Sequence, residues 1–319
     1  MTRLVSQGRL RVAVIGVGHL GRHHARILAA LPDVVLVAAV DLVPERAAAA
    51  VVGTPAEALT DFRALFGRVD AVTVAVPTAA HSDVAGAFLE RGVPVLVEKP
   101  LASSVEDADA LLRLAERSGA VLAVGHVERF NPAVEAAMAV LQTPRFIEVH
   151  RLSGFPDRSL DVDVIFDVMI HDLDIILAMD RSAVLAVEAI GVPVLSPKVD
   201  IANARVRFAS GCVANITASR ISRDKVRKVR CFQPDMYVSI DYAEQELEVW
   251  RLALDAQGRP AIAGGPVAVV KDEPLRRELV DFVSAVREGR APHVTGGDGR
   301  RALALAERVA QAIAGGSES

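Results

Sequence analysis

Three glycines near the N-terminus constrain the fold of this chain more than any other feature. Gly16, Gly18 and Gly21 follow an apolar run at 10–15 that is typical of a buried strand, and helical periodicity continues over 22–31. In this pattern the first glycine allows a tight turn, the second lets a pyrophosphate approach the backbone, and the third lets helix and strand pack closely. The segment therefore predicts the first unit of a dinucleotide-binding Rossmann sheet, with the phosphates at the helix N-terminus.

An acidic residue after the second predicted strand indicates which dinucleotide binds. Asp41 follows the strand at 34–40 and lies twenty residues after Gly21. A carboxylate at this point accepts hydrogen bonds from the ribose hydroxyls of NAD and repels the 2′-phosphate of NADP. Leu42 supplies no guanidinium to offset the repulsion, although Arg46 lies nearby on the next predicted helix. NAD is therefore the predicted cofactor.

Strands and helices alternate up to about residue 124. Strands at 71–76, 93–97 and 120–124 enclose helices at 79–91 and 104–118, and this order predicts a parallel sheet with helices on both faces. Ligands of such a sheet lie at the carboxyl ends of its strands. The predicted cofactor contacts at that edge are Gly16, Gly18, His19, Leu20, Gly21, Asp41, Thr78, His81, Glu98 and Lys99.

The tripeptide Glu98-Lys99-Pro100 places a lysine directly at this edge. Lys99 comes where its strand ends, and Pro100 fixes the backbone so that the chain turns sharply. A lysine in this position can reach a substrate oxygen beside a nicotinamide ring. Thr78 and His81 follow the preceding strand, and helix capping is the alternative role for both.

The second half of the chain consists mainly of predicted strands. In one of them Ala204, Val206 and Phe208 fall on the same face, which is typical of a half-buried sheet. Short turns between the strands favour an antiparallel or mixed sheet that is open on one face, and helices at 274–288 and 299–313 close the chain. The predicted strands cover 145–152, 184–190, 201–208, 212–219, 226–232, 236–242 and 246–252.

The predicted fold class is α/β with two domains, which the length of 319 residues favours. Residues 1–124 form a dinucleotide-binding Rossmann domain with a doubly wound parallel sheet. Residues 125–319 form a C-terminal α/β domain with an open, mostly antiparallel sheet, and we expect this domain to bind the substrate and to mediate oligomerisation.

Composition argues against several classes of protein. The formal net charge of -4 gives no reason to expect nucleic-acid binding. Cys212 and Cys231 are too few for a disulfide framework, and no metal-ligand spacing surrounds them, so no metal is predicted. Residues 1–9 lack the apolar region of a secretory signal, and the chain has no apolar run of about eighteen residues. We therefore expect a cytoplasmic protein that does not enter the membrane.

A second group of chemically active residues lies on a predicted helix at 163–179. Asp167 and His171 are four residues apart and therefore share one face, and Asp174 lies on roughly the same face. A carboxylate one turn before an imidazole holds its tautomer and raises its basicity, which suits a general base. The alternative is a helix surface with solvated acids and a histidine, and the spacing alone leaves both possibilities open.

A basic segment at 220–230 interrupts an otherwise slightly acidic chain. Arginine side chains bind the two phosphates of a pyrophosphate well, so the segment indicates a phosphorylated substrate, with Arg220 and Lys225 as the preferred contacts. The alternatives are a strand edge kept soluble by charge and a contact between subunits. The basic residues are Arg220, Arg223, Lys225, Arg227, Lys228 and Arg230.

Three motifs together resemble the Gfo/Idh/MocA family of oxidoreductases. They are the glycine turn Gly16-Val17-Gly18-His19-Leu20-Gly21, the tripeptide Glu98-Lys99-Pro100, and Asp167-x-x-x-His171. The resemblance implies an N-terminal Rossmann domain and a C-terminal α/β domain whose open sheet carries substrate and oligomer contacts. It also implies that Lys99 and His171 flank the reacting carbon with Asp167 in support, and it favours the catalytic role of the helix at 163–179.

Further motifs at 125–132, 169–175 and 217–222 resemble the UDP-N-acetylglucosamine 3-dehydrogenase branch of that family. This resemblance implies NAD-dependent oxidation of the sugar C3 hydroxyl to a 3-keto nucleotide sugar. An aminotransferase then takes up the product for a lipid A variant with amide-linked acyl chains. The implied assembly is a homodimer or homotetramer through the C-terminal sheet. The implied substrate contacts are Lys99, Arg129, Asn131, Asp167, His171, Arg220 and Lys225.

Two other functions stay open at this point. One is a dehydrogenase of the same family that acts on inositol or another free sugar. The other is a sugar sensor that binds NAD without turnover. Sensors of this kind tend to lose the catalytic pair, whereas Lys99 and His171 are both present here.

Overall fold

The chain folds into two compact units. The computed structural model describes residues 8–155 and 162–315. The first unit extends to His126 and also contains Leu275–Arg300, while the second contains Val127–Pro274 and the residues from Arg301 onward. The predicted division after residue 124 had assigned the whole of 275–300 to the second domain. The apolar stripe of a helix does not say which core covers it, and here Leu279 and Phe282 pack in the core of the first unit.

Within the described residues, the first unit contains a sheet of six parallel strands in the order β3-β2-β1-β4-β5-β6. This is the Rossmann order, and the chain switches direction across the sheet between β1 and β4. Because all the strands are parallel, their carboxyl ends meet at one edge. The strands are β1 Leu10–Ile15, β2 Val34–Val40, β3 Glu57–Leu59, β4 Ala71–Val74, β5 Val95–Glu98 and β6 Leu122–Gly125.

Helices connect these strands as the alternating pattern predicts. The helix predicted at 104–118 begins after Ser104, whose hydroxyl accepts a hydrogen bond from the Asp107 amide at 3.1 Å. It ends at Gly119, which has a left-handed φ of 70°. The helices of this unit are α1 Gly21–Ala30, α2 Pro44–Ala50, α3 His81–Leu89, α4 Val105–Ser118 and α7 Pro274–Glu288.

The part of the second unit that the structure describes holds an eight-stranded sheet in the order β14-β13-β12-β11-β7-β10-β9-β8. Strands β7 and β10 are parallel, and the other neighbours pair antiparallel. The prediction of a mostly antiparallel sheet is therefore confirmed. The strands are β7 Phe146–Leu152, β8 Val184–Val192, β9 Ile201–Phe208, β10 Val213–Ser219, β11 Val226–Gln233, β12 Met236–Asp241, β13 Glu246–Leu254 and β14 Pro260–Val267.

One face of this sheet packs on helices and the other is open. In β9, Ala204, Val206 and Phe208 are buried while Arg205 and Arg207 are exposed, as the alternation predicts. The buried face joins a core with α5 Pro132–Val140, α6 Ile170–Met179 and the second half of α8 Gly296–Gly315.

Strand β14 was not predicted from the sequence. It begins at Pro260 and contains Gly264, Gly265 and Pro266, residue types that are depleted in strands. It lies at the edge of the sheet and pairs with β13, and an edge is where proline is tolerated because one side of the strand needs no ladder donor.

Candidate active site

The glycine turn has the shape that a dinucleotide requires. Gly16 has a φ of 83°, and a Cβ there would lie 2.6 Å from the carbonyl oxygen of Ala75. A Cβ on Gly21 would collide with the carbonyl oxygen of Gly16, whereas a Cβ on Gly18 would meet nothing within 4 Å. Gly16 and Gly21 therefore allow the turn to form, and Gly18 keeps its outer surface open for close approach of a ligand.

The end of the sheet beside this turn is accessible. His19 and Leu20 are exposed and Gly18 is partly exposed, immediately before α1. Among the residues that the structure describes, no side chain caps the start of α1. The first amides of the helix are thus available to a phosphate group.

Asp41 lies beside the glycine turn, as a ribose-binding acid must. Its carboxylate accepts one hydrogen bond from the Val17 amide at 3.0 Å and another from the Val43 amide at 2.9 Å. The side chain is partly exposed and is therefore open to a ligand, and the neighbouring Leu42 is 90% exposed. Turn, helix start and acid together fit NAD.

We expect Asp41→Ala to weaken NAD binding and to narrow the preference for NAD over NADP. Losing hydrogen bonds to a charged group costs about 1.5–3 kcal/mol, so Kd for NAD should rise about ten- to a hundredfold. Binding of NADP should be weakened less, because the charge that repels its 2′-phosphate is removed. Titration of both dinucleotides measures this, with Asp41→Asn as the control that removes the charge and keeps a hydrogen-bonding side chain. An unchanged NAD/NADP ratio in Asp41→Ala would contradict the ribose role.

Lys99 is the first residue after β5, at the same edge. Its side chain is partly exposed, and a cis peptide bond joins it to Pro100. The preceding Glu98 is buried, and one carboxylate oxygen lies 2.9 Å from Nε2 of His24 while the other accepts a hydrogen bond from the Lys99 amide at 3.2 Å. Glu98 therefore holds the main chain of the lysine.

The electrostatics around Glu98 favour its charged form. Burial raises the pKa of this carboxyl, but the hydrogen bond and charge of His24, together with the charge of Lys99, lower the pKa below its ordinary value. Sequence reasoning missed His24. A histidine within the helix that follows the glycine turn, at a position whose neighbours are Ala25, Ile27 and Leu28, was the available signal.

His81 ties two loops of this edge together. Its ring nitrogens each lie 2.9 Å from a carbonyl oxygen, Nδ1 from that of Pro100 and Nε2 from that of Val76. Burial lowers the pKa of His81, although these backbone contacts oppose the shift. The ring therefore organises the loop that carries Lys99. Thr78 is partly exposed at the start of the short turn before α3.

The predicted helix at 163–179 begins with a π-helical turn. The turn covers Ile165–Met169 and includes Asp167, and α6 then carries His171 as its second residue. Asp167 and His171 are both partly exposed. The start of the segment is anchored separately, because the Asp163 carboxylate accepts a hydrogen bond from the Val199 amide at 2.8 Å. π-Helical turns inside helices are frequent at functional sites.

Buried ion pairs fix α6 beside His171. Asp172 is fully buried and makes two hydrogen bonds with Arg151, at 2.7 and 2.9 Å, and Arg151 also bonds Glu128 at 2.9 Å. Burial raises the pKa of Asp172 above its ordinary value, and the charge of Arg151 opposes this. Sequence reasoning missed this network, although the position of Asp172 among the apolar residues of 168–177 was a signal for it.

We expect Arg151→Met to lower the free energy of unfolding by about 3–5 kcal/mol, because it leaves the Asp172 carboxylate buried without its partner. Denaturant titration measures this value. The matched control is Arg230→Met, since Arg230 bonds Glu148 at the same 2.9 Å but is 43% exposed. An exposed pair of this kind contributes about 0–1 kcal/mol. Equal losses in the two variants would contradict the expectation.

Three of the predicted substrate contacts have buried partners within the protein. Arg129 pairs with Asp174 at 3.4 Å, and Asn131 caps α5 by accepting a hydrogen bond from the Ala133 amide at 3.1 Å. Arg220 is 1% exposed and donates to Asp200 at 2.8 Å. These contacts favour structural roles for the three residues. Lys225 is exposed, as are Arg223, Arg227 and Lys228.

Known proteins are similar to this chain in both sequence and fold. A family model described as "Oxidoreductase family, NAD-binding Rossmann fold" (Gfo/Idh/MocA) matches residues 10–126. The chain is 39% identical over 306 residues to a UDP-N-acetylglucosamine 3-dehydrogenase of Acidithiobacillus ferrooxidans, covering 95% of this chain and 97% of that protein. The chain belongs to the Gfo/Idh/MocA family.

A solved structure agrees with this membership. A structure of the Acidithiobacillus ferrooxidans enzyme superimposes with a TM-score of 0.89 at 38% identity, covering 96% of this chain and 98% of that one. A scyllo-inositol 2-dehydrogenase (NAD(+)) of Bacillus subtilis is 26% identical, over 90% of this chain and 89% of that protein. As a member of the family, the protein is an NAD-dependent oxidoreductase with a Rossmann unit, which confirms the predicted fold class and cofactor.

One structural observation concerns the expectation that the protein does not enter the membrane. Across 8–155 and 162–315, none of the helices is both long enough and apolar enough to span a bilayer.

Proposed function

We propose that this protein oxidises the C3 hydroxyl of a UDP-sugar with NAD, and that UDP-N-acetylglucosamine is converted to its 3-keto derivative. The observation that carries the proposal is the 39% identity, over nearly the whole of both chains, with a relative of that name. The motifs at 125–132, 169–175 and 217–222 support the same substrate.

Lys99 and His171 are the proposed catalytic residues. NAD, when bound, supplies the hydride acceptor. The hydroxyl proton of the substrate must leave as the hydride does, and neutral His171 accepts it. Lys99 donates a hydrogen bond to the same oxygen and stabilises the negative charge that develops there. Asp167, one turn before the histidine, orients the imidazole.

Histidine suits the role of base better than lysine does. An unperturbed lysine has a pKa of about 10.4, so neutralising it at about pH 7 costs roughly 4.6 kcal/mol. An unperturbed histidine has a pKa of about 6.5 and is already largely neutral at that pH. We therefore assign proton acceptance to His171 and charge stabilisation to Lys99.

The UDP group is proposed to bind the exposed basic residues around the start of β11. Lys225 precedes the strand, and Arg223, Arg227 and Lys228 are exposed beside it in sequence. Guanidinium groups bind phosphate oxygens through paired hydrogen bonds. Arg220, whose guanidinium is buried against Asp200, is proposed to hold this segment in place rather than to touch phosphate.

The proposed setting is cytoplasmic, with an aminotransferase that consumes the 3-keto product. We also propose a homodimer or homotetramer assembled through the open face and edge of the second sheet. Exposed apolar side chains support this, among them Phe232, Leu252 and Ile262, which are 38%, 57% and 78% exposed.

A panel of substrates with NAD tests the proposal by the absorbance of the reduced nicotinamide. The panel contains UDP-N-acetylglucosamine, UDP-glucose, UDP-N-acetylgalactosamine and free N-acetylglucosamine, each with a sugar aminotransferase and glutamate to remove the ketone. We expect turnover of UDP-N-acetylglucosamine and none of the free sugar. Turnover of free sugars without UDP-sugars would reject the proposal.

The second candidate is oxidation of inositol, which the similarity to the Bacillus subtilis scyllo-inositol 2-dehydrogenase supports. Adding scyllo- and myo-inositol to the panel separates the two. An inositol has no phosphate, so neutralising Lys225 by Lys225→Ala should leave its KM unchanged and should raise KM for a UDP-sugar.

A further inference from the structure

Three titratable side chains meet in the interior of the first unit, behind Lys99. His24 comes from α1, Glu98 from the end of β5 and Glu278 from α7, and they are 0%, 7% and 1% exposed. A ring nitrogen of His24 and one carboxylate oxygen each of Glu98 and Glu278 all lie within 4.8 Å of one another. Two carboxyl groups and one imidazole therefore share a space from which water is largely excluded.

The environment separates the two carboxyl groups. Glu98 receives hydrogen bonds and positive charge from His24 and Lys99, which favour its ionised form. The environment of Glu278 acts in the opposite direction: burial, followed by the negative charges of Glu98 and Asp281, raises its pKa well above the ordinary value. Two carboxylates this close in a dry site cannot both be ionised cheaply, and one therefore keeps a proton.

The hydrogen bonding identifies which of the two carboxyl groups keeps the proton. Among residues 8–155 and 162–315, neither carboxyl oxygen of Glu278 has a hydrogen-bond partner. A buried carboxylate without donors is strongly disfavoured, whereas a carboxylic acid carries its own donor and can give it to a neighbouring carboxylate. His24 Nε2 lies at hydrogen-bond distance from Glu98, 2.9 Å, so a proton already occupies that side of the site.

We propose that Glu278 is held as a neutral carboxylic acid that donates its proton to the Glu98 carboxylate, and that it is thereby a positioning residue for Lys99. The Glu98 carboxyl is enclosed by its neighbours: a Cβ on Gly125 would lie 2.9 Å from it, and its second oxygen accepts the Lys99 amide. A proton from Glu278 completes this enclosure, so the carboxyl that orients the lysine main chain has one position. The titratable groups that lie beside Glu278 are His24 and Glu98, with Asp281 on its own helix.

Infrared difference spectra test the proton directly. At about pH 8 exposed carboxyl groups are ionised, and the wild-type spectrum should still contain the carbonyl band of one protonated carboxyl. Glu278→Gln should lack that band. Glu288→Gln, which removes a 61% exposed carboxyl from the same helix, should retain it. Absence of the band from the wild type would overturn the assignment, as would a divalent metal that co-purifies in equal amount and is lost in Glu278→Gln.

The pH dependence of unfolding gives a second measurement. The folded chain keeps this proton to a higher pH than the unfolded chain, whose glutamate pKa is 4.5. Above that value the unfolding equilibrium constant of the wild type should rise relative to that of Glu278→Gln, by up to about tenfold per pH unit. Parallel curves for the two proteins would overturn the proposal.

The positioning role rests on the proposed dehydrogenase function and needs its own measurement. Glu278→Leu cannot donate a proton, and we expect its kcat to fall about ten- to a hundredfold with KM nearly unchanged, because a small displacement of a catalytic group costs rate. Glu278→Gln, which still donates an N–H, should recover most of that loss. Equal kcat in the leucine variant and the wild type would overturn the positioning role. The infrared and unfolding measurements use no substrate, so a wild type without dehydrogenase activity would reject the proposed function and leave the proton assignment testable.

Discussion

Lys99→Ala should lower kcat by about 10²- to 10³-fold, the usual loss when a donor to a developing oxyanion is removed. NAD binding should stay close to that of the wild type, because the glycine turn and Asp41 lie at the ends of other strands. Single-turnover rates with UDP-N-acetylglucosamine measure the chemical step, and fluorescence titration measures NAD binding. Normal turnover would refute the assignment.

Lys99→Arg separates two roles of the lysine. An arginine keeps the positive charge and a hydrogen-bond donor but is not deprotonated in proteins. If Lys99 stabilises charge, as proposed, the arginine variant should recover part of the activity that alanine loses. If the lysine were the base, the two variants would be equally inactive. Lys198→Ala, which changes an exposed lysine of the second unit, is the control for nonspecific effects of losing a lysine.

His171→Ala should lower kcat by about 10²- to 10⁴-fold, the range found when a general base is removed. The proposed base must be neutral, so wild-type activity should fall as pH drops through the histidine pKa, ordinarily about 6.5. That acid limb should disappear from the residual activity of the variant. His171→Asn should not restore the rate, because an amide hydrogen-bonds but does not accept a proton at this pH.

His293→Ala is the control for this experiment, since His293 is an exposed histidine of the first unit. It should keep both the rate and the acid limb of the wild type. An acid limb that persists unchanged in His171→Ala would show that another group titrates, and the role of base would then pass from the histidine. Thermal unfolding of both variants checks that the loss in rate is not a loss of folded protein.

The elements that could be predicted from sequence are those whose causes are local. The glycine turn was predictable because Gly16 and Gly21 are the residues that permit its backbone path. The helix at 104–118 is set by local residues, since Ser104 caps its start, and the buried face of β9 was predictable from alternation at 204, 206 and 208. Strand β14 was missed because its glycines and prolines oppose a strand, and pairing at a sheet edge outweighed that preference.

Some residues of the candidate site could likewise be predicted from the sequence, and the surroundings of others could not. The proposed catalytic residues, Lys99 and His171, belong to motifs that are visible in the sequence, and Asp41 follows its strand at the spacing that ribose binding requires. Residue type alone did not show that Arg220, which lies in a basic segment, is buried against Asp200. The sequence does not show whether water or a carboxylate surrounds a charged side chain, because the surroundings are set by residues that are distant along the chain.

The amino-acid sequence by itself determined the first strand, turn and helix of the Rossmann sheet and the acidic residue beside them. It also determined the strands of the second sheet, in which buried and exposed residues alternate, and the identity of the two proposed catalytic side chains. Periodicity, turn chemistry and spacing act between neighbours, so they can be read without coordinates. Only the tertiary structure decided that Leu275–Arg300 belongs to the first unit and that Glu278 meets Glu98 and His24 there. Burial and charge pairing between distant segments are set by packing, and a linear pattern holds no record of which segments pack together.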